Sequence, residues 1–122
     1  MSWIYSQSTG YIIQNGTGQC LGQGYSGNSG YCNKPDFEHV RDYGPIPRGR
    51  YRIGHAHYSA NTGSYSMNLT PVDHHAHGRT LFRIHGDSRK LPGGASHGCI
   101  VLPLDIRKKI AESGDIHLQV TR

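Results

Sequence analysis

The chain carries the segment FRIHGD at residues 82–87 and, after a short loop, the segment ASHGCIVL at residues 95–102. The first four residues of the first segment belong to the run Thr80–His85, in which Leu81 and two further apolar residues supply the surface typical of a β-strand. Gly86 follows directly, and a glycine at this point allows the chain to turn back beneath the histidine ring. We therefore predict a strand that ends at a histidine and presents it beside a turn.

Further short β-prone runs, separated by turn residues, predict strands on both sides of this segment. They are Trp3–Ser6 and Tyr11–Gln14, which flank residues 8–10 as a hairpin, Arg50–Ile53, Ser66–Val72 ended by Pro71, and a half-buried last strand in which Ile116, Leu118 and Val120 alternate with polar residues. Residues 15–36 are rich in glycine with interleaved tyrosines, which predicts either a linker or a functional surface loop.

One helix is predicted near the C-terminus. Asp105 is the expected N-cap, and Ile106 and Ile110 lie one turn apart on a buried face. Gly114 is expected to end the helix. The predicted fold class is therefore mainly β, a β-rich sandwich or barrel with one short C-terminal helix.

The composition limits the possible classes of protein. The 122 residues include 17 glycines, only 34% are hydrophobic, and the formal net charge is +5. This length predicts one domain spanning residues 1–122, and no apolar run approaches the roughly 18 residues of a membrane span. The charge favours an acidic partner without choosing its class. Because the basic residues are dispersed and no groove-reading motif is present, we expect no nucleic-acid partner.

Cys99 is the candidate nucleophile because two histidines lie within 14 residues of it. A reactive cysteine needs an imidazole that holds it as the thiolate, and His85 and His97 are the candidates. It also needs backbone N–H groups that meet a developing oxyanion, and the small residues Ser96 and Gly98 let the main chain approach a substrate closely. An inert, buried cysteine is the alternative.

The segments Ile84–Gly86 and Ser96–Ile100 together resemble the signature of the L,D-transpeptidase catalytic domain. Within that family the chain is similar to the leaderless L,D-transpeptidase effectors of bacterial type VI secretion, from about residue 24 to residue 110. The positions that carry this wider similarity are Tyr25-Ser26-Gly27, Gly44-Pro45-Ile46-Pro47 with Gly49 and Tyr51, Gly78-Arg79, and Arg107. The resemblance implies a β-rich fold and acylation of the cysteine by peptidoglycan stem peptides.

The resemblance also implies roles for individual residues. Cys99 would attack the diaminopimelate carbonyl of a tetrapeptide stem and release D-Ala. His85 would form the thiolate–imidazolium pair and protonate the leaving amine, oriented by the Gly86 carbonyl. The oxyanion hole and its surroundings would come from the N–H groups of Gly98 and Cys99 and from His97 and Ser96. A stem amine, a D-amino acid or water would then resolve the thioester, giving crosslinking, exchange or carboxypeptidase activity.

The chain departs from the family pattern in two places. Related enzymes commonly have arginine directly after the Cys-Ile pair, where it helps bind a substrate carboxylate, and this chain has Val101 there. The loop before Ser96 is also short. We therefore expect that the lid that covers the active site in larger enzymes of the family is reduced here. Tyr25 is interpreted either as a wall of the substrate groove or as a packing residue. The residues expected to bind substrate are Tyr25, Arg79, Arg83 and Arg107.

Other chemically active residues support no second site. Five histidines between residues 55 and 77 raise the alternative of a zinc site, but their spacing matches no standard set of ligands, so we expect no metal and no cofactor. Cys20 and Cys32 are compatible either with a disulfide or with two buried thiols. Asp87 is expected to pair with Arg83 or His97, or to cap a turn.

These features lead to one main hypothesis and two alternatives. The first seven residues lack the basic and apolar regions of a signal peptide, so we expect that the protein is made in the cytoplasm and either stays there or leaves without a cleaved leader. The resemblance to the leaderless effectors implies export. The main hypothesis is an antibacterial cysteine enzyme that modifies peptidoglycan in the periplasm of a target bacterium. A cognate immunity protein and components of the secretion apparatus would be its partners. The alternatives are a housekeeping L,D-transpeptidase that forms wall crosslinks and a non-catalytic peptidoglycan-binding module.

Overall fold

The computed structural model describes residues 2–60, 62–87 and 96–122. Within these ranges the chain forms ten β-strands and one α-helix near the C-terminus. The predicted fold class, mainly β with one C-terminal helix, is therefore confirmed. Among the described residues, no helix has both the length and the apolar character needed to cross a membrane.

The elements are short and follow one another closely. The strands are β1 (Trp3–Ser6), β2 (Tyr11–Gln14), β3 (Cys20–Gln23), β4 (Tyr25–Ser26), β5 (Gly49–Ile53), β6 (His57–Ser59), β7 (Gly63–Val72), β8 (Phe82–His85), β9 (Ile100–Val101) and β10 (His117–Thr121). The helix α1 spans Leu104–Ser113, and single 3₁₀ turns lie at Ser29–Tyr31, Pro35–Phe37 and Ala76–Gly78.

One segment of chain supplies both outer strands of the sheet. The strand order is β3-β2-β1-β10-β5-β7-β8-β9-β4, with β6 beside β7. Only Gly24 separates β3 from β4, so the same segment pairs with β2 through its first half and with β9 through its second half. This arrangement nearly closes the sheet into a barrel and leaves little unpaired edge.

Alternation along the strands sends one set of side chains into a single core. Tyr5 of β1 and Tyr51 of β5 are its largest fully buried side chains, with 0% and 1% of their surface exposed. Ile106 and Ile110 of α1 lie four positions apart, are buried as predicted, and belong to the same core. The helix packs against β7 and covers this end of the sheet.

The start of α1 differs from the prediction. Pro103 occupies the N-cap position without a side-chain cap hydrogen bond, and Asp105 lies in the first turn instead. A carboxylate there still interacts favourably with the positive end of the helix dipole. Gly114 ends the helix with a φ of 76°, the left-handed conformation expected of a terminal glycine.

Four strand predictions are corrected as well. Leu81, which we expected to supply apolar strand surface, is 85% exposed, because its φ of 65° turns the chain just before β8 begins. Ile116 precedes β10 and is 38% exposed. Pro71 lies inside β7, opposite Tyr51, and does not end the strand. The glycine-rich residues 15–36 contain β3 and β4 and are therefore part of the sheet.

Strands β8 and β9 position the candidate site. Their parallel pairing aligns Ile84 with Ile100 and His85 with Val101. The last residue of β8 is therefore the histidine of the first segment, and the residue directly before β9 is Cys99. Parallel pairing of two segments that are close in sequence thus brings the predicted base and nucleophile to neighbouring strands.

Candidate active site

Cys99 lies with its sulfur against the chain that enters β8. The Sγ–H group donates a hydrogen bond to the carbonyl oxygen of Leu81 at 3.7 Å, and the backbone N–H of Arg83 donates to the sulfur. Both partners are backbone groups, and they come from residues two positions apart in the chain. They fix the position of the sulfur without using another side chain.

The environment of Cys99 keeps it protonated at rest. Burial raises the pKa of the thiol, while the Arg83 N–H bond and the positive charges of Arg83 and Arg79 lower it without cancelling the effect of burial. Because only the thiolate is a strong nucleophile, the reaction of this sulfur requires a base that removes its proton.

His85 is a buried imidazole held by its own backbone. Only 3% of the residue is exposed, and Nδ1 donates a hydrogen bond to the carbonyl oxygen of Gly86 at 2.8 Å. A carbonyl oxygen can only accept, so the proton of the neutral ring is on Nδ1 and the lone pair is on Nε2. This is the contact that the sequence predicted between these two residues, and it leaves Nε2 available as a base.

The pKa of His85 is lowered, so the ring is neutral near pH 7. Burial is the largest cause, and the charges of Arg107 and Arg83 lower the pKa further. The hydrogen bond to Gly86 and the negative charge of Asp87 raise it, but by less. A neutral imidazole is the form that accepts a proton from a thiol.

The sulfur and the imidazole are not hydrogen bonded to each other among the contacts of the described residues. Arg83 is the neighbour they share, since its N–H binds the sulfur and its charge acts on both groups. Catalytic hydrogen bonds are often long in proteins without substrate. Proton transfer therefore requires the S–H bond to turn away from the Leu81 carbonyl, while the N–H of Arg83 still holds the sulfur.

Ser96 organises the loop that carries the nucleophile. Its hydroxyl accepts hydrogen bonds from the backbone N–H of Gly27 at 2.9 Å and of Gly98 at 3.2 Å, and it donates to the carbonyl oxygen of Cys99 at 2.6 Å. One donor and two acceptor positions are the full capacity of a hydroxyl group. Ser96 is completely buried, so this network fixes the loop against the segment that follows β4.

Gly98 adopts a conformation that excludes a side chain. Its φ is 117°, and a Cβ atom at this position would collide with Nη2 of Arg79. Its N–H group, predicted to belong to an oxyanion hole, donates to Ser96 in this state. The oxyanion role of Gly98 and Cys99 therefore stays a prediction that requires this N–H to change partner.

Arg79 is a buried clamp with 5% of its surface exposed. Nη1 donates to the carbonyl oxygens of Glu38 and Pro45 at 2.6 and 2.8 Å, and Nη2 donates to those of Gly44 and His97 at 3.0 and 3.4 Å. Four backbone acceptors thus use both terminal nitrogens. The clamp ties the segment 38–45 to the nucleophile loop and leaves a positive charge beside the thiol.

The other two arginines predicted to bind substrate are also engaged by the protein. Nε of Arg83 donates to Asn68 Oδ1 and Nη1 donates to Ser59 Oγ, both at 2.9 Å. Arg107, which is 8% exposed, donates from Nε to the carbonyl oxygen of Leu102 at 3.0 Å and from Nη1 to that of Ser64 at 2.7 Å. These contacts assign both residues to holding strands and helix together around the site.

Tyr25 reaches across to the residue that follows the histidine turn. Its hydroxyl donates to Asp87 Oδ1 at 2.6 Å, while its backbone pairs with Val101. Asp87 was expected to pair with Arg83 or His97 or to cap a turn, and the hydrogen bond from Tyr25 is a contact that the sequence did not predict. The two side chains, with Arg107, line a cavity of about 300 Å³ on this side of β9.

A second cavity, of about 340 Å³, opens beside the nucleophile. Its lining includes Cys99, His97 and Leu81, together with Arg41 and Asp42, which the sequence did not single out. No local pattern marks these last two residues, since they lie more than 50 positions from the nucleophile. A cavity of about 440 Å³ lies between β5 and β10 and includes none of the predicted site residues among those described around it.

The remaining predicted features have separate structural roles. His74 donates from Nε2 to the carbonyl oxygen of Arg50 at 2.9 Å, and His77 donates to Glu38 Oε2 at 2.8 Å. Cys20 and Cys32 are both free thiols, the first of them exposed, so neither the disulfide nor the pair of buried thiols is present. The loop in which we expected a reduced lid includes residues 88–95, which lie outside the described residues.

A family model matches most of the chain. The model of the Tlde1 domain matches residues 22–120, which include both signature segments. No sequence among curated proteins matches the chain.

Solved structures share the fold over nearly the whole chain. The chain is similar to a mutant L,D-transpeptidase from Enterococcus faecium at 17% identity and a TM-score of 0.61, covering 98% of this chain and 49% of that chain. It is similar to an L,D-transpeptidase (Yku) from Stackebrandtia nassauensis at 16% identity and a TM-score of 0.56, covering 99% of this chain and 55% of that chain. It is also similar to the helical cell shape determining protein Pgp2 from Campylobacter jejuni at 15% identity and a TM-score of 0.62, covering 99% of this chain and 47% of that chain. The chain thus spans about half the length of these proteins, and at these identities the likeness shows the fold.

Proposed function

The chain belongs to the Tlde1 domain family, the L,D-transpeptidase-like family of type VI effectors that its sequence resembles, and we propose that it is a cysteine acyl-transfer enzyme acting on peptidoglycan stem peptides. The observation that carries this proposal is the arrangement of His85. Its Nδ1 is held by the Gly86 carbonyl and its Nε2 is left as a base, on the strand next to a thiol that lines an open cavity.

In the proposed first half-reaction, Nε2 of His85 takes the proton of the Cys99 thiol. The thiolate attacks the diaminopimelate carbonyl of a tetrapeptide stem, and the carbonyl oxygen becomes an oxyanion. The bond to the nitrogen of D-Ala then breaks, and the His85 imidazolium returns its proton to the leaving amine. The products are a thioester on Cys99 and free D-Ala.

In the second half-reaction a nucleophile resolves the thioester. Water gives L,D-carboxypeptidase activity, a free D-amino acid gives exchange, and the amine of another stem gives a crosslink. The same imidazole removes a proton from the incoming group and returns it to the departing sulfur. How well water is excluded from the site decides among these products.

Two positive charges support the thiolate in this scheme. Arg83 and Arg79 both lower the pKa of the Cys99 thiol, the first also through its backbone N–H. The oxyanion would be met by the N–H groups of Cys99 and Gly98, the latter after release from Ser96. Because Ser96 holds that N–H at 3.2 Å, a long hydrogen bond, the exchange is a modest rearrangement.

The cellular role that we propose follows from the family. As a type VI effector the protein would be delivered into the periplasm of a competing bacterium and weaken or remodel its wall. The producing cell would then need an immunity protein that covers the groove over Cys99. The secretion apparatus would be the second partner.

The test is mass spectrometry of tetrapeptide muropeptides incubated with the protein and D-Met. We expect loss of D-Ala together with tripeptides, D-Met-containing tetrapeptides or crosslinked dimers, and no product with Cys99→Ala or His85→Ala. Cys20→Ala, which removes an exposed free thiol, is the matched control and should leave activity unchanged.

A parallel test expresses each variant in the periplasm of a sensitive bacterium. The wild-type protein should be toxic and Cys99→Ala harmless. Persistent toxicity of Cys99→Ala would exclude the proposed nucleophile. Binding to sacculi without any product from the wild-type protein would favour a binding module, and crosslinked dimers without toxicity would favour a housekeeping crosslinking enzyme.

A further inference from the structure

Among the described residues, the arginines predicted to bind the charged end of the substrate are already engaged by the protein. In the proposed function, which this inference extends, the leaving D-Ala carries a free carboxylate next to the attacked carbonyl. The arginines predicted to bind it are Arg79, Arg83 and Arg107. Protein acceptors hold both terminal nitrogens of Arg79, and they hold Nε and Nη1 of Arg83 and of Arg107, so each of the three guanidinium groups is already oriented by the protein.

Arg41 differs from these three residues. It is exposed and lines the 340 Å³ cavity together with Cys99. Across residues 2–60, 62–87 and 96–122, no hydrogen bond or ion pair engages its guanidinium. Its five N–H donors are therefore available to a molecule that enters the cavity.

The turn that carries Arg41 is fixed to the nucleophile loop. The next residue, Asp42, has a φ of 67°, and its carbonyl oxygen accepts a hydrogen bond from His97 Nδ1 at 3.1 Å. The Asp42 carboxylate interacts with the charge of Arg79. Because Asp42 is tied to His97 in this way, the backbone that carries Arg41 is held beside the nucleophile loop.

We propose that Arg41 binds the terminal carboxylate of the acyl donor. A guanidinium matches a carboxylate with two parallel charge-assisted hydrogen bonds, which adds orientation as well as affinity. The carboxylate lies one residue beyond the attacked carbonyl. A single cavity lined by both Cys99 and Arg41 can span this distance. A donor that ends in an amide or continues beyond D-Ala lacks this charge.

The test compares a tetrapeptide donor that has a free C-terminal acid with the same donor as its C-terminal amide. We expect the wild-type kcat/KM to favour the acid by about tenfold or more, and Arg41→Gln to lose that preference through a fall on the acid alone. Arg41→Lys should keep part of it, since the charge remains without the paired geometry. Arg52→Gln, an exposed arginine beside the distant β5–β10 cavity, is the control and should keep the full preference.

Binding to the unreactive Cys99→Ala protein separates this inference from the proposed function. Calorimetry should show tighter binding of the acid than of the amide, with the difference removed by the added Arg41→Gln change. This result without any turnover by the wild-type protein would support the carboxylate site and reject the enzyme. Turnover with equal use of acid and amide, or a preference that survives Arg41→Gln, would overturn the assignment of Arg41.

Discussion

The imidazole of His85 donates its Nδ1 proton to the carbonyl oxygen of Gly86, the next residue in the chain, at 2.8 Å. This acceptor is part of the backbone, so no second side chain is needed to orient the ring. It is also uncharged, and therefore stabilises an imidazolium less than a carboxylate in the same place would. Asp87 is the negative group that acts on the ring, and it does so from a more exposed position.

The first prediction concerns Asp87→Asn. Burial holds the pKa of His85 below its ordinary value of 6.5, and the charge of Asp87 partly opposes this effect. Removing that charge disfavours the imidazolium, so the pKa should fall further. The neutral base is lost only as pH drops through the pKa of the folded protein. The acidic limb of kcat/KM should therefore lie below pH 6.5 in the wild type and lower still in the variant.

NMR titration of the His85 ring gives the same midpoint without turnover. Asparagine keeps an oxygen that accepts the Tyr25 hydroxyl, so the local structure should persist. Asp73→Asn, which removes an exposed carboxylate paired with Arg50, is the control and should leave the midpoint in place. A midpoint that rises in Asp87→Asn would contradict the electrostatic account.

The second prediction concerns Ser96→Ala. The change leaves the buried N–H groups of Gly27 and Gly98 without their acceptor and the Cys99 carbonyl without its donor. Each unsatisfied buried donor costs about 1–3 kcal/mol, so we expect the free energy of unfolding to fall by about 2–4 kcal/mol in denaturant titrations. The control is Ser113→Ala at the exposed end of α1. A cost no larger than that of the control would show that the Ser96 network is not a structural element.

The third prediction concerns Gly98→Ala. An L-residue in a left-handed conformation costs about 1–2 kcal/mol, and the new methyl group would also collide with Arg79, whose four backbone acceptors prevent it from moving. We expect a loss of about 3 kcal/mol or more in the free energy of unfolding. Gly18→Ala, at a φ of 71° with open space around the glycine, should show a cost of backbone strain without a collision. Equal losses for the two variants would mean that the Arg79 clamp yields easily.

The parts of the site that follow from local sequence were predictable. A strand that ends at His85, a backbone acceptor at Gly86 and a buried helix face at Ile106 and Ile110 each depend on residues within a few positions. Periodicity and turn chemistry act over that range. The fold class follows from these elements together.

The parts that depend on distant partners were not predictable in this way. The sequence presents Arg79 as a cation available to substrate, but its four acceptors are carbonyls between 18 and 41 positions away, which no spacing rule connects to it. The strands β3 and β4, which form the two ends of the sheet, were missed because both are short and show little alternation. Their pairing is fixed by the strands on either side and not by their own propensity.

The last prediction concerns Leu81, which combines a left-handed φ of 65° with a side chain that is 85% exposed. The backbone of Leu81 is strained although its side chain is not buried, and its carbonyl oxygen lies 3.7 Å from the sulfur of Cys99. We infer that the strain serves to position this carbonyl group. Leu81→Gly relieves a strain of about 1–2 kcal/mol, offset by the entropy of an added glycine, so stability should be unchanged or rise by up to about 1 kcal/mol. Turnover of the tetrapeptide should fall several-fold, because a freer carbonyl no longer fixes the sulfur.

Leu81→Asn tolerates the left-handed conformation without the freedom of glycine and should retain turnover near the wild-type value. An equal fall in both variants would assign the effect to contact of the leucine side chain with substrate and not to its backbone.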